Sequence, residues 1–228
     1  LLTSYLSAAA QISQLAVGDT GISPVSPTYT NSGYTTQWDR VKGAPFGTRG
    51  GISVVHNFPA DGEYLFRMAF EHTTTGEFFG MTTRDEQIEI SIDSERMALL
   101  EMDQWMHVSD PNGVNMKSVP MFVTAGPHRI SAAFLKQSEG PMQDMLAPHK
   151  WSLVDRQIGV RAYGITAPAH LKDLAIDGPY NATSVSATPS RQKIFSCRPT
   201  SPANEMACVE EILSRLADQA YRGKFDAS

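Results

Sequence analysis

Ile52-Ser53-Val54-Val55-His56-Asn57-Phe58-Pro59-Ala60-Asp61-Gly62-Glu63-Tyr64-Leu65-Phe66-Arg67-Met68-Ala69-Phe70 is the stretch that decides the fold class. Ile52, Val54, His56 and Phe58 alternate with Ser53, Val55 and Asn57. Tyr64, Phe66, Met68 and Phe70 then alternate with Leu65, Arg67, Ala69 and Glu71. A period of two sends successive side chains to opposite faces, so each run reads as a strand with one buried face. Pro59-Ala60-Asp61-Gly62 has turn chemistry, and two alternating runs joined by a short turn predict an antiparallel hairpin.

The same period continues outward. Ile88, Ile90 and Ile92 alternate with Glu89, Ser91 and Asp93, and Asp93-Ser94-Glu95 can turn the chain into a strand over 96–102. Val119, Met121 and Val123 lead to Ala125-Gly126-Pro127, with His128, Ile130, Ala132 and Phe134 beyond it. Short strands are expected at 157–162 and 171–176, and no helical period appears between Thr48 and Pro179. Several strands, each wet on one face, imply two sheets packed together. The expected fold is therefore mainly β, an antiparallel two-sheet β-sandwich over 48–180, with Tyr64, Phe66, Ile90, Ile130 and Phe134 buried. Gly47 to Gly51 leads into a strand rather than a helix, which excludes a phosphate loop; its glycines suit a close backbone approach at the sheet.

Helical periods flank this region. Leu2, Tyr5, Leu6, Ala9, Ile12 and Ala16 recur at three- and four-residue steps, and Gly18 can stop that helix. A signal peptide fits residues 1–18 poorly, because they lack a basic leader and Ser and Gln interrupt the apolar run. The Gly-, Pro- and Ser-rich stretch 19–47 reads as an extended connector, and 181–200 as a linker. From Ser201 and Pro202 the period returns to 3.6, with Met206, Val209, Leu213, Leu216 and Ala220 on one face and Gly223 as a stop.

Composition excludes some functions. Lys and Arg total 19 against 24 Asp and Glu, a formal charge of -5. Without a basic cluster the chain is no nucleic-acid binder. No apolar run is long enough for a membrane span. The histidines form no compact metal spacing, so no metal site is expected, and His56 and His128, on apolar strand faces, read as structural. Asp93, Glu95, Glu101, Asp103 and Asp110 lack EF-hand spacing and read as a solvated hairpin. No GxSxG elbow is present, so a hydrolase has little support, and no residue is assigned a catalytic role. No CxxCH is present, so the chain binds no haem covalently. Cys197 and Cys208 are either two buried thiols or one disulfide.

The remaining chemistry lies in the long segments 73–86, 103–118 and 136–156. Trp105 stands beside His107 and Asp110, and Trp151 beside His149 and Lys150. A flat aromatic face with hydrogen-bonding neighbours is what a sugar ring requires. The plainer alternative is that each Trp closes an end of the sandwich or a domain contact.

Gly43-Ala44-Pro45-Phe46-Gly47-Thr48-Arg49-Gly50-Gly51, the run from His56 to Tyr64, Gly178-Pro179-Tyr180-Asn181, Thr188-Pro189-Ser190-Arg191, and Cys197 preceding Cys208 and Ala220-Tyr221-Arg222 carry a further indication. Together they resemble the large secreted cytochrome c-associated multidomain proteins of planctomycetes and acidobacteria, over nearly the whole chain. Gly223-Lys224 departs from that pattern, which has Arg-Pro there. The resemblance implies that 1–18 ends one helical domain and 201–228 begins another. It also implies that the middle is a jelly-roll sandwich similar to carbohydrate-binding modules. Haem c would sit in neighbouring domains or chains, which are the expected partners alongside polysaccharide. Periplasmic or secreted placement follows, and such a compartment keeps a Cys197–Cys208 disulfide closed. The leading functional expectation is a non-catalytic binding or scaffolding module. The alternative is a fragment or subunit of a periplasmic haem-dependent oxidoreductase that forms part of its active-site wall.

Overall fold

A computed structural model of the chain describes residues 1–31, 37–80, 85–137 and 169–222. The strand expected at 157–162 lies outside them. The described strands are β1 (Thr28–Thr30), β2 (Thr48–Phe58), β3 (Asp61–Phe70), β4 (Gln87–Ile92), β5 (Glu95–Glu101), β6 (Asn115–Lys117), β7 (Met121–Val123), β8 (Gly126–Leu135) and β9 (Leu171–Ser184). Helices α1 (Leu2–Val17), α2 (Pro189–Ile194) and α3 (Glu205–Ala220) flank them.

The strands make two antiparallel sheets. One runs β1-β9-β3-β6, with β7 pairing β3 beyond β6; the other runs β2-β8-β4-β5. Alternation places the apolar faces of both sheets inward, as a sandwich requires. Tyr64, Phe66 and Met68 from β3 meet Ile88 and Ile90 from β4 and Ile130 and Phe134 from β8, all buried. Every core residue expected from the alternation is in place.

The expected hairpin between 52–58 and 64–70 is not formed. β2 pairs β8 in one sheet, and β3 pairs β9, β6 and β7 in the other. The turn at Pro59-Ala60 therefore carries the chain across the sandwich. A period of two identifies a strand and its buried face but not its partner, and Pro59, with no N–H, suits a break in a ladder. Another short crossing, from β7 to β8, is tied to this one by Asp61. Its carboxylate accepts from the backbone N–H groups of Ala125 (2.6 Å) and Ser186 (3.0 Å) and from the Ser184 and Ser186 hydroxyls. Burial pushes the Asp61 pKa up, but these hydrogen bonds more than reverse it and hold the carboxyl below its ordinary value.

Local sequence accounts for other features. Asp93 and Ser94 both take positive φ and close the β4–β5 hairpin in two residues, as expected. In β2, Gly50 and Gly51 together oppose Ala133, a bulge that no side chain at Gly51 could accommodate, since a Cβ there would lie 2.0 Å from the Ala132 carbonyl oxygen. Beside it, Arg49 is buried, paired with Glu86 at 2.6 Å and stacked over Phe134.

The flanks depart from expectation in detail. The connector is not strand-free, because β1 docks on the edge of β9 and satisfies backbone groups there. The linker contains α2, capped by the Thr188 side chain with Pro189 in the first turn. Ser201 precedes a 3-10 turn at Pro202–Asn204 but makes no side-chain cap. Gly223 lies outside the described residues. Cys197 and Cys208 form a disulfide, with a Cα–Cα distance of 5.5 Å. None of the described helices is long and apolar enough to cross a membrane.

Candidate functional site

The segment 103–113 is a chain of short turns made by its own polar residues. The Asp103 side chain accepts the Trp105 N–H (2.9 Å), and the Asp110 side chain accepts the His107 N–H (2.7 Å). The first is an Asx turn; in the second the acidic side chain reaches back three residues to a backbone N–H, as in a capping box. Gly113 N–H then bonds the Asp110 carbonyl.

A second turn, 73–77, clamps this segment from the side. Val108 N–H bonds the Gly76 carbonyl, and Phe78 N–H the Met106 carbonyl. The Glu77 carboxylate accepts both Thr73 and Thr75 hydroxyls, which draw its pKa down to about 2. Gly76 permits the approach: a Cβ there would meet His107 Nε2 at 2.6 Å. His107 Nδ1 accepts the Ser109 N–H (3.1 Å), so the ring proton sits on Nε2, which donates to the Thr75 carbonyl (3.1 Å).

His107 and Asp110, expected as polar neighbours of a ligand, thus hold the loop together. The same scaffold sends adjacent side chains in opposite directions: Met106 is buried in the core, whereas Trp105 is 68% exposed. Shallow clefts adjoin this loop. One of about 310 Å³ is lined by Glu101, Asp103, Asp110, Asn112 and Asn115; another of about 610 Å³ by Asp85, Glu86, Glu101, Asp103 and Gln104. Their carboxylates and amides are acceptors and donors of the kind that read hydroxyl groups.

His149, Lys150 and Trp151 lie outside the described residues. His56 and His128 are partnered: His56 Nδ1 meets the Tyr29 hydroxyl (2.8 Å), and His128 Nδ1 meets the Asp93 carboxylate (2.6 Å). Among the described residues, no three His, Cys, Asp or Glu side chains gather as a metal-holding group.

A further cleft, absent from the sequence reading, lies on the outer face of the β1-β9-β3-β6 sheet. It encloses about 670 Å³ and is lined by residues including Thr28, Arg67, Asn112, Asn115, Lys117 and Asp173. These come from distant parts of the chain and meet only through strand register. The one available signal was the polar alternate face of β3.

No protein-family model matches the chain, and no curated protein matches it. Among solved structures it is similar to the native structure of a family 35 carbohydrate binding module from Clostridium thermocellum. That match has a TM-score of 0.30 and 11% identity, over 68% of this chain and 98% of that one. A family 35 carbohydrate binding module from an environmental isolate gives 0.29 and 12%, over 71% and 98%. Dimeric latent PorU from Porphyromonas gingivalis gives 0.30 and 11%, over 73% of this chain and 14% of that one. The sandwich assignment rests on the strand register of this chain.

Proposed function

We propose that this chain is a non-catalytic glycan-binding module of a larger extracytoplasmic protein, with Trp105 as the platform on which a sugar ring stacks. The observation that carries the reading is an indole left open to solvent on a loop fixed by Asp103, His107 and Asp110. A preorganised aromatic face loses little freedom on binding, and the C–H edge of a pyranose packs on it while hydroxyls meet the flanking carboxylates and amides. His107 and Asp110 act as positioning residues. His149, Lys150 and Trp151, outside the described residues, offer the same combination of aromatic and polar groups and are proposed as further ligand-binding residues. The Cys197–Cys208 disulfide supports an oxidising, periplasmic or secreted setting. The sequence resemblance to cytochrome c-associated proteins supports a parent with haem c in neighbouring domains, of which 1–18 and 201–228 are adjoining pieces.

Affinity electrophoresis tests the reading. Neutral xylan in the gel should retard the wild-type chain, and Trp105→Ala should abolish the retardation without altering migration in a plain gel. Equal retardation of the two proteins would rule out Trp105 as the platform.

A second reading is docking, as part of the wall of a haem-dependent oxidoreductase. It is favoured by the apolar stripe of α1, where Leu2, Tyr5, Leu6, Ile12 and Leu15 are all exposed. In that case Trp105→Ala would release the chain from its parent particle, and no glycan would retard even the wild type.

A further inference from the structure

We propose that the outer face of the β1-β9-β3-β6 sheet is a second subsite, selective for sugars that carry a carboxylate. The inference rests on the reading of the chain as a glycan-binding module and adds to it a substrate class and an adjoining surface, which shares Asn112 and Asn115 with the cleft beside the Trp105 loop.

Register builds the subsite. Thr28, Ala175, Arg67 and Lys117 stand side by side across the four strands, and Thr30, Asp173, Ala69 and Asn115 form the next row. Ala175 and Ala69 end in methyl groups and make a low floor; the longer side chains around them are the walls of the 670 Å³ cleft. Four strands span about 14 Å at the usual spacing, enough for a short oligosaccharide.

Charge selects the ligand. Arg67 and Lys117 are directly opposed across an antiparallel pair, an arrangement that destabilises a sheet when nothing lies between them. Asp177 neutralises only one of the two. It holds Arg67 through Nε (2.5 Å) and Nη2 (3.1 Å), and Ser26 accepts from Nη2 as well (2.9 Å), so the guanidinium is fixed in place. Among the described residues Lys117 has no ion-pair partner. With the Arg67 fork spent on Asp177 and Ser26, the Lys117 ammonium is the cation left to receive a carboxylate, and the fixed guanidinium beside it sets where that carboxylate sits.

The far wall sets the rest of the ligand. Asp173, which accepts from the Thr30 hydroxyl at 2.6 Å, and Asn115 face the cleft with groups suited to hydroxyls. A polyanion without hydroxyl donors would meet Asp173 unfavourably. A neutral sugar would leave Lys117 unused and find no aromatic face. A chain bearing both carboxylates and hydroxyls, an acidic oligosaccharide, satisfies both walls.

Titration calorimetry with tetragalacturonate and, separately, xylotetraose at low ionic strength tests this. Tetragalacturonate should bind the wild-type chain and weaken as salt is added. Lys117→Ala should weaken it roughly tenfold or more, the equivalent of one charge-assisted hydrogen bond, and Lys117→Arg should largely restore it. Xylotetraose binding should be the same in wild type and Lys117→Ala. An unchanged melting temperature in Lys117→Ala would show that the sheet is intact. The inference is overturned if tetragalacturonate binds Lys117→Ala as tightly as wild type, or does not bind wild type at all. The two proposals fail separately: Trp105→Ala should remove xylotetraose binding and spare tetragalacturonate, whereas Lys117→Ala should do the reverse.

Discussion

Phe58 and Tyr64 meet edge to face, ring centroids 4.6 Å apart, from opposite sheets of the sandwich although only the Pro59–Glu63 segment separates them in the chain. The contact marks the place where the backbone leaves one layer for the other. It also explains why an aromatic alternation that reads smoothly through both runs does not make them neighbours in one sheet. The Tyr64 hydroxyl donates to the Ala60 carbonyl at 2.8 Å, which fastens the crossing from within.

Phe66 lies on the inner face of β3 at 0% exposure. Phe66→Ala removes its transfer free energy and leaves a cavity between the sheets, a loss of about 3–5 kcal/mol. Urea unfolding should show a midpoint lowered accordingly with the slope retained. A variant as stable as wild type would mean that the inner face has been misassigned.

His56 should make stability fall on mild acidification. Burial lowers its pKa from 6.5 to about 4, so the folded ring stays neutral while the unfolded ring takes a proton. Its contribution is complete above about pH 6.5 and is lost as pH falls towards 4, because the unfolded chain then binds more protons. Glu77, Asp61, Asp93 and Asp177 also have lowered pKa values; their contributions begin to fall only at the acid end of that window, near the ordinary values of 4.5 and 3.8, and do so alike in wild type and in a His56 variant. Between pH 7 and 4.5 the urea midpoint of wild type should drop more steeply than that of His56→Gln. Parallel slopes would exclude His56 as the origin.

The Cys197–Cys208 disulfide closes a sequence separation of 11 outside both sheets. In the loop-closure account such a bridge contributes about 3 kcal/mol, here to the order of the α3 start rather than to the sandwich. Reduction should speed hydrogen exchange over 197–212 and leave β3, β8 and β9 protected. Intact mass after alkylation should show no modified thiol until reductant is added; two modified thiols in untreated protein would contradict the bridge.

The strands and their buried faces were legible because period two is a local property: Tyr64, Phe66, Ile90, Ile130 and Phe134 could be assigned one residue at a time. So could the Asp93-Ser94 turn. Partnership was not legible, because no local property of Phe58 and Tyr64 says whether Pro59-Ala60 reverses the chain or carries it across. The α2 start was written in Thr188-Pro189 but hidden inside a stretch read as linker. For the candidate site, the sequence singled out Trp105, which the loop leaves exposed, but treated His107 and Asp110 as ligand partners. Their engagement with Ser109, Thr75 and backbone N–H groups emerges only when the 73–77 turn is set against the loop. Lys117 and Asp173 carried no motif, and their meeting on one face is a product of register.

The repeated passage between sheets also governs how the chain can acquire its structure. Among the described strands, β4 and β5 are the pair adjacent in both sequence and sheet, joined by a local turn. Every other described ladder joins distant segments; β3 pairs first with β6 and β7, about fifty residues on, and with β9 only when Phe66 reaches Ile176, while β2 waits until Val54 reaches Ile130. Chains dominated by such remote pairings fold on millisecond-to-second timescales, since loop entropy must be lost before contacts compensate. During synthesis β3 would leave the ribosome well before β9 exists, with its aromatic face uncovered. Glu63 and Arg67, the charged residues on its other face, are of the kind that discourage such a strand from pairing with a neighbouring chain.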